Sequence, residues 1–194
     1  MIDKEKGAAL IVTYNRVEKL EKCVKCLLNQ TVSINRIYIV NNASTDGTSS
    51  FLERISNEFP QIRYLNNSDN CGGAGGFSKG VEWAYEEGAD WIWGMDDDAF
   101  AAQDAIERLL RERSHRSEIC AYWSNVNKDN CFEQDVKEVQ EWMFVGFFIP
   151  REIIKNVGFP RGDFFIYYDD YEYAPCEYPL ESALLNWTEG DCYE

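Results

Sequence analysis

Short apolar runs alternate with stretches of helical periodicity over the first half of the chain, and this constrains the fold more than any other feature. Residues 8–13 form an apolar run that stops at Tyr14-Asn15-Arg16, a strand followed by a loop. From 17 to 30 the apolar residues Val17, Leu20, Val24, Leu27 and Leu28 recur at helical spacing. Residues 36–40 read as a second strand, ending in turn and cap residues at 41–48, with a helix near 49–59. A shorter strand at 62–65, a loop through 66–76, a helix at about 77–87 and an apolar run at 89–95 complete the series. Strands alternating with helices of this length predict βαβ units and an α/β fold: a mostly parallel central sheet flanked by helices, in a single domain.

The rest of the chain is less regular. A helix is expected at 103–113, a strand at 119–123 and a polar loop over the site at 125–140. A buried strand is expected at 142–149, then a short helix with Pro150 in its first turn. A turn at 158–163 precedes the aromatic run 164–168, which delivers Asp169-Asp170-Tyr171-Glu172.

The apolar run at 89–95 closes on three consecutive carboxylates, Asp96-Asp97-Asp98. At the C-terminal end of a buried strand they would sit where open α/β sheets bind ligands. Adjacent negative charges need neutralising, and a hard divalent cation that shares its oxygen shell with a diphosphate meets that need. Most acidic runs are solvated turns; the buried strand before this one and the glycine-rich segment upstream set it apart. That segment, Asn70-Cys71-Gly72-Gly73-Ala74-Gly75-Gly76, reads equally as a tight turn or as a backbone cradle for an anion ahead of a helix. It lacks the Lys and Ser/Thr of a Walker loop. Asn41 or Asn42 would suit a base or ribose, and helix capping fits Thr45 or Thr48. Asp169, Asp170 and Glu172 form a second acidic group, in which one carboxylate flanked by Phe165, Tyr168 and Tyr171 could supply a general base. His115 lies in a charged stretch and reads as a surface residue.

The 19 basic and 34 acidic residues give 19 − 34 = −15, which excludes nonspecific nucleic-acid binding. The longest apolar stretch, 142–150, falls short of a membrane span, and no signal-peptide core opens the chain, so the cytoplasm is the expected location. Seven cysteines without framework spacing suit reduced thiols, and the C-x-x-C at Cys23 and Cys26 falls within a helical pattern.

Taken in order, these pieces resemble the glycosyltransferase family 2 catalytic domain, of GT-A fold. The carriers are Ile11-Val12-Thr13-Tyr14-Asn15-Arg16, the segment from Ile39 to Thr48, Asn70-x-Gly72-Gly73-Ala74-Gly75-Gly76-Phe77, Asp96-Asp97-Asp98, and Phe164-Phe165-Ile166-x-x-Asp169-Asp170-x-Glu172-Tyr173. The resemblance implies inverting transfer of a sugar from a nucleotide donor with Mn²⁺ or Mg²⁺. It also implies a glycan or lipid-linked glycan acceptor at the inner face of a membrane. Carried over by position, Thr13, Asn15, Arg16, Asn42, Asp46, Asn70, Gly72, Gly73, Gly76 and Asp96 would border the nucleotide-sugar. Asp97 would face the donor sugar, Asp98 with Asp96 would hold the metal, and Asp170 would be the base. The glycine pattern and the two acidic groups look most like the galactofuranosyl- and rhamnosyltransferase branch, which favours UDP-galactofuranose over dTDP-rhamnose as donor.

The family domain is expected over 1–174, with an atypical tail at 175–194. Family members usually supply a histidine after this point to complete the metal shell, whereas the tail holds no histidine, lysine or arginine. It reads as a different ending, a truncation or a shifted frame, and weak metal affinity follows. The rival readings are a nucleotide-sugar binding protein without turnover, a nucleotidyltransferase and an interaction domain.

Overall fold

The computed structural model describes residues 5–124, 136–138, 144–166, 169–173 and 180–183. Strands β1 (Gly7–Thr13), β2 (Arg36–Asn41), β3 (Ile62–Asn66) and β4 (Trp91–Asp96) are parallel neighbours in the order β3-β2-β1-β4. Helices α1 (Val17–Leu28), α2 (Thr48–Glu58) and α3 (Gly72–Glu86) make the crossovers. The chain first steps outward from β1 to β3, and α3 then carries it back to β4 on the other side of β1. Strand order therefore reverses between β1 and β4, which places a crevice at their C-terminal ends.

Beyond β4 the sheet becomes mixed. It continues through β7 (Phe147–Pro150), β5 (Ala121–Ser124), β8 (Leu180–Ala183) and β6 (Val136–Glu138), making eight strands among the described residues. β7 runs antiparallel to both β4 and β5, and β8 runs parallel to β5. Helices α4 (Ala105–His115), α5 (Arg151–Val157) and α6 (Asp169–Tyr173) follow β4, follow β7 and precede β8.

Every residue of β1 is buried, as a central parallel strand covered on both faces requires. Ala9 and Ile11 point into a core shared with Leu20, Val24 and Leu27 of α1 and Phe51, Leu52 and Ile55 of α2. Ala8, Leu10 and Val12 point into the other, with Phe77, Val81 and Ala84 of α3. Phe148 of β7 stacks on Trp91 at 5.2 Å and meets Tyr122 edge-on at 5.9 Å, which ties the mixed half of the sheet to the parallel half.

Four expectations change. The helix expected from Phe77 begins at Gly72, so the glycine run is the opening of α3 and not a loop before it. Close packing explains this: a β-carbon on Gly76 would lie 2.5 Å from Val12 Cγ1, so only glycine lets the helix settle on β1. Of the loop expected at 125–140, residues 136–138 form β6 and the remainder lies outside the described residues. Pro150 ends β7 in extended conformation and caps α5 instead of lying in its first turn. The strand expected at 142–149 begins only at Phe147, with a bend at 144–146 ahead of it, and residues 164–166 belong to a 3-10 turn at Gly162–Phe164 and the bend after it. The tail after Ala183 lies outside the described residues.

Candidate functional site

At the crevice, β1 delivers Thr13 and β4 delivers the acidic triplet. Asp97 is 2% exposed, and its Oδ2 accepts the Thr13 hydroxyl at 2.6 Å. Burial pushes the Asp97 carboxyl above its ordinary range, against the Thr13 hydrogen bond and the nearby Arg16 guanidinium, which pull it down. The Arg16 guanidinium lies 3.4 Å from Asp97 Oδ1 and 2.9 Å from Asp98 Oδ2, and Lys19 Nζ lies 3.3 Å from the same Asp98 oxygen. Arg16 and Lys19 stand three residues apart at the start of α1, so one helical face brings both cations to the triplet.

The loop after β2 is tied together by its own side chains. Asn42 is buried; its Nδ2 donates to Gly72 O at 2.8 Å, and its Oδ1 accepts from Asn67 Nδ2 at 2.8 Å. Asn15, at φ 55, accepts the Thr45 backbone N–H on Oδ1 at 2.7 Å. Asp46 Oδ2 accepts from Val17 N at 3.1 Å and Oδ1 from Thr48 N at 3.0 Å, so this carboxylate caps both α1 and α2. Capping, expected of Thr45 or Thr48, thus falls to Asp46.

A cleft of about 230 Å³ opens between these elements. Of the residues expected at a nucleotide-sugar, it brings together Thr13, Arg16, Asn42, Asn70, Gly72, Gly73, Asp96 and Asp97. Asn15, Asp46, Gly76 and Asp98 do not line it: the first two brace loops, Gly76 packs on Val12, and Asp98 sits beside it on Arg16 and Lys19. Phe165 and Ile166 line it as well. Asp170, half-buried in α6, does not line it; its helix is tied down where the buried Tyr173 donates its hydroxyl to Gly158 O at 2.8 Å.

Among the described residues no three His, Cys, Asp or Glu side chains group to hold a metal ion. A hard cation bound with a diphosphate needs only one or two protein carboxylates, the phosphates and waters completing its oxygen shell. At the end of β4 the carboxylates of Asp96 and Asp98 supply hard oxygen donors of that kind: Asp96 lines the cleft, with Cys23 Sγ 3.8 Å from its backbone oxygen, and Asp98 lies beside it on Arg16 and Lys19. The model of glycosyl transferase family 2 matches residues 8–172, which takes in all of these elements from β1 into α6.

The chain belongs to glycosyl transferase family 2. Within the family it is similar to galactofuranosyltransferase GlfT1 of Mycobacterium tuberculosis, at 38% identity over 97 residues, 50% of this chain and 31% of that protein. Its fold is that of solved GT-A enzymes. The mannosyltransferase PcManGT of Pyrobaculum calidifontis, solved with GDP-Man and Mn²⁺, superposes with TM-score 0.68 at 16% identity, over 90% of this chain and 53% of that one. TarS of S. aureus, solved with UDP, gives 0.70 at 13%, over 93% and 59%. The chain thus spans less than two thirds of the length of each of these proteins.

Sequence reasoning missed Lys19 and Ile166 as site residues. Lys19 was findable, since it lies one helical turn after Arg16. Phe165, expected to flank the base, lines the cleft, and Ile166 carries no signal in the sequence beyond the run that delivers Asp169 and Asp170. Tyr168, expected to flank the base, lies outside the described residues.

Proposed function

We propose that the cleft binds a nucleoside-diphosphate sugar and that the protein transfers the sugar, with inversion, to a hydroxyl of a glycan or lipid-linked glycan acceptor. One observation carries this reading: Asp96 and Asp97 stand at the switch point of a family 2 sheet, in one cleft with Thr13, Arg16, Asn42 and Asn70. Similarity to GlfT1 favours UDP-galactofuranose as donor, with dTDP-rhamnose as runner-up.

In this reading Asp96 faces the ribose and diphosphate, and Asp98 with Asp96 holds Mn²⁺ or Mg²⁺. The ion, when bound, offsets the charge that grows on the departing diphosphate. Asp97, expected to face the donor sugar, is buried enough to take a holding part instead, fixing Thr13 and Arg16 for the donor. Arg16 can turn from the carboxylates to the incoming phosphates, a geometry its planar fork suits. Asp170 takes the proton of the acceptor hydroxyl as it attacks the anomeric carbon from the face opposite the leaving group. In this reading the enzyme works in the cytoplasm, peripheral to the inner face of a membrane. Among the described residues no helix is long and apolar enough to cross one.

Two substitutions test the assignment. Asp98→Ala is expected to abolish metal-dependent donor binding in calorimetry. Asp170→Ala is expected to leave donor binding intact and lower transfer by about 10²–10⁴-fold, the usual contribution of a general base. Equal losses of donor binding in both variants overturn the roles.

A second reading draws on the same place. Asp98 is already neutralised by Arg16 and Lys19, and the described residues offer no three-ligand metal group, so a binding protein without turnover is the alternative. Tight UDP binding with no sugar released from either donor selects it.

A further inference from the structure

The bend after the 3-10 turn carries an unusual backbone conformation at the edge of the cleft. Phe165 has φ 65 and ψ −67, and Ile166 N–H donates to Phe164 O at 2.8 Å. This is a three-residue γ-turn of the positive-φ kind, rare and strained for a residue that has a β-carbon. Such strain persists only where the surroundings over-determine it.

Here the clamp is the opening turn of α3. Ala74 N–H donates to Phe165 O at 3.1 Å. Gly72, itself at φ 72, leaves the space that this carbonyl fills, since a β-carbon there would lie 2.0 Å from it. On Gly162 a β-carbon would lie 3.3 Å from Gly75 Cα, so the preceding turn also rests on the glycine face of the helix.

What the clamp presents is apolar and uncovered. Phe165 is 50% exposed and Ile166 55%, and both line the cleft with Asp96 and Asp97. Strained backbone that holds an aromatic ring in water costs stability twice, and at a polar cleft it points to a ligand contact.

We propose that Phe165 is a specificity-determining residue whose ring receives the apolar C–H face of the donor's sugar. This rests on the reading of the cleft as a nucleotide-sugar site. Asp170 stands five residues on, and its proposed work is at the anomeric centre, so Phe165 belongs to the sugar end of the site and not to the base. Gly72 and Ala74 are positioning residues for that ring.

The test is calorimetry with Mn²⁺ on the wild type and on Phe165→Ala, Phe165→Gly and Phe165→Tyr, titrating UDP and UDP-galactofuranose, with dTDP and dTDP-rhamnose as a parallel arm. Free nucleotide is expected to bind all four proteins within about twofold. The sugar nucleotide is expected to bind the Ala and Gly variants at least about fivefold more weakly, and the Tyr variant like the wild type. Glycine relieves the strain, so Phe165→Gly is expected to melt higher than Phe165→Ala while losing as much donor affinity; a purely structural role would make affinity follow melting temperature instead. Equal weakening for nucleotide and sugar nucleotide gives the ring to the base and overturns the proposal, as does unchanged donor affinity in Phe165→Ala. A wild type that binds none of the four ligands overturns the reading of the site itself, and this inference with it, before any variant is compared.

Discussion

Asp46 caps two helices with one exposed carboxylate, the first turn of α1 on Oδ2 and that of α2 on Oδ1. A single cap is typically worth about 1 kcal/mol, so Asp46→Ala is expected to lower stability by about 1–2 kcal/mol in urea denaturation at neutral pH. Burial alone would raise this carboxyl, but the hydrogen bonds from Thr48 and Val17 outweigh it and hold it below its ordinary value. The stabilisation is therefore complete above the unfolded carboxylate value of about 3.9 and is lost as pH falls through the lower folded one. The gap between wild type and Asp46→Ala in a pH series of denaturation midpoints should hold steady down to about pH 4 and close below it. Asp46-Gly47-Thr48 announced a helix start in the sequence, but several side chains there had the chemistry to cap. Only the approach of α1, 29 residues away along the chain, selects Asp46.

At the scale of elements, α3 shows local propensity losing to packing. Four glycines within five positions argue against helix, since each costs about 1 kcal/mol relative to alanine. That is why the sequence read as a loop up to Gly76. The helix forms regardless because its glycines admit Val12, Leu10 and the Phe165 carbonyl to its surface. The run therefore contains positions of opposite worth. Gly73→Ala meets nothing within 4 Å and should stabilise by about 0.5–1 kcal/mol. Gly76→Ala would press on Val12 Cγ1 at 2.5 Å and Asn42 Nδ2 at 3.2 Å, an overpacking that costs about 1–3 kcal/mol. Thermal melts of the two variants should move in opposite directions. Helices α1 and α2 were legible within one or two residues because their apolar stripes do the packing.

Over the whole molecule, the parallel half of the sheet was readable because each of its strands is a continuous apolar run between helices. The place of β7 was not, because its partners β4 and β5 are distant in sequence and apolar composition carries no strand direction. Its weight is testable: Phe148→Ala removes the ring that joins Trp91 to Tyr122 and should cost about 3–5 kcal/mol. Most of the candidate site was legible as a set of loop ends on that sheet, where Asp96 and Asp97 line the cleft. The rest depended on which side chains bind one another, as Asp98 does Arg16 and Lys19. With those two side chains beside it the protein carries its own counter-ions, so charge repulsion in the triplet does not wait for a dissolved cation to relieve it. Folding and ion loading are thereby separable. A chelator such as EDTA should leave the melting curve of the purified protein where it was, whereas domains nucleated by a metal unfold when it is stripped away.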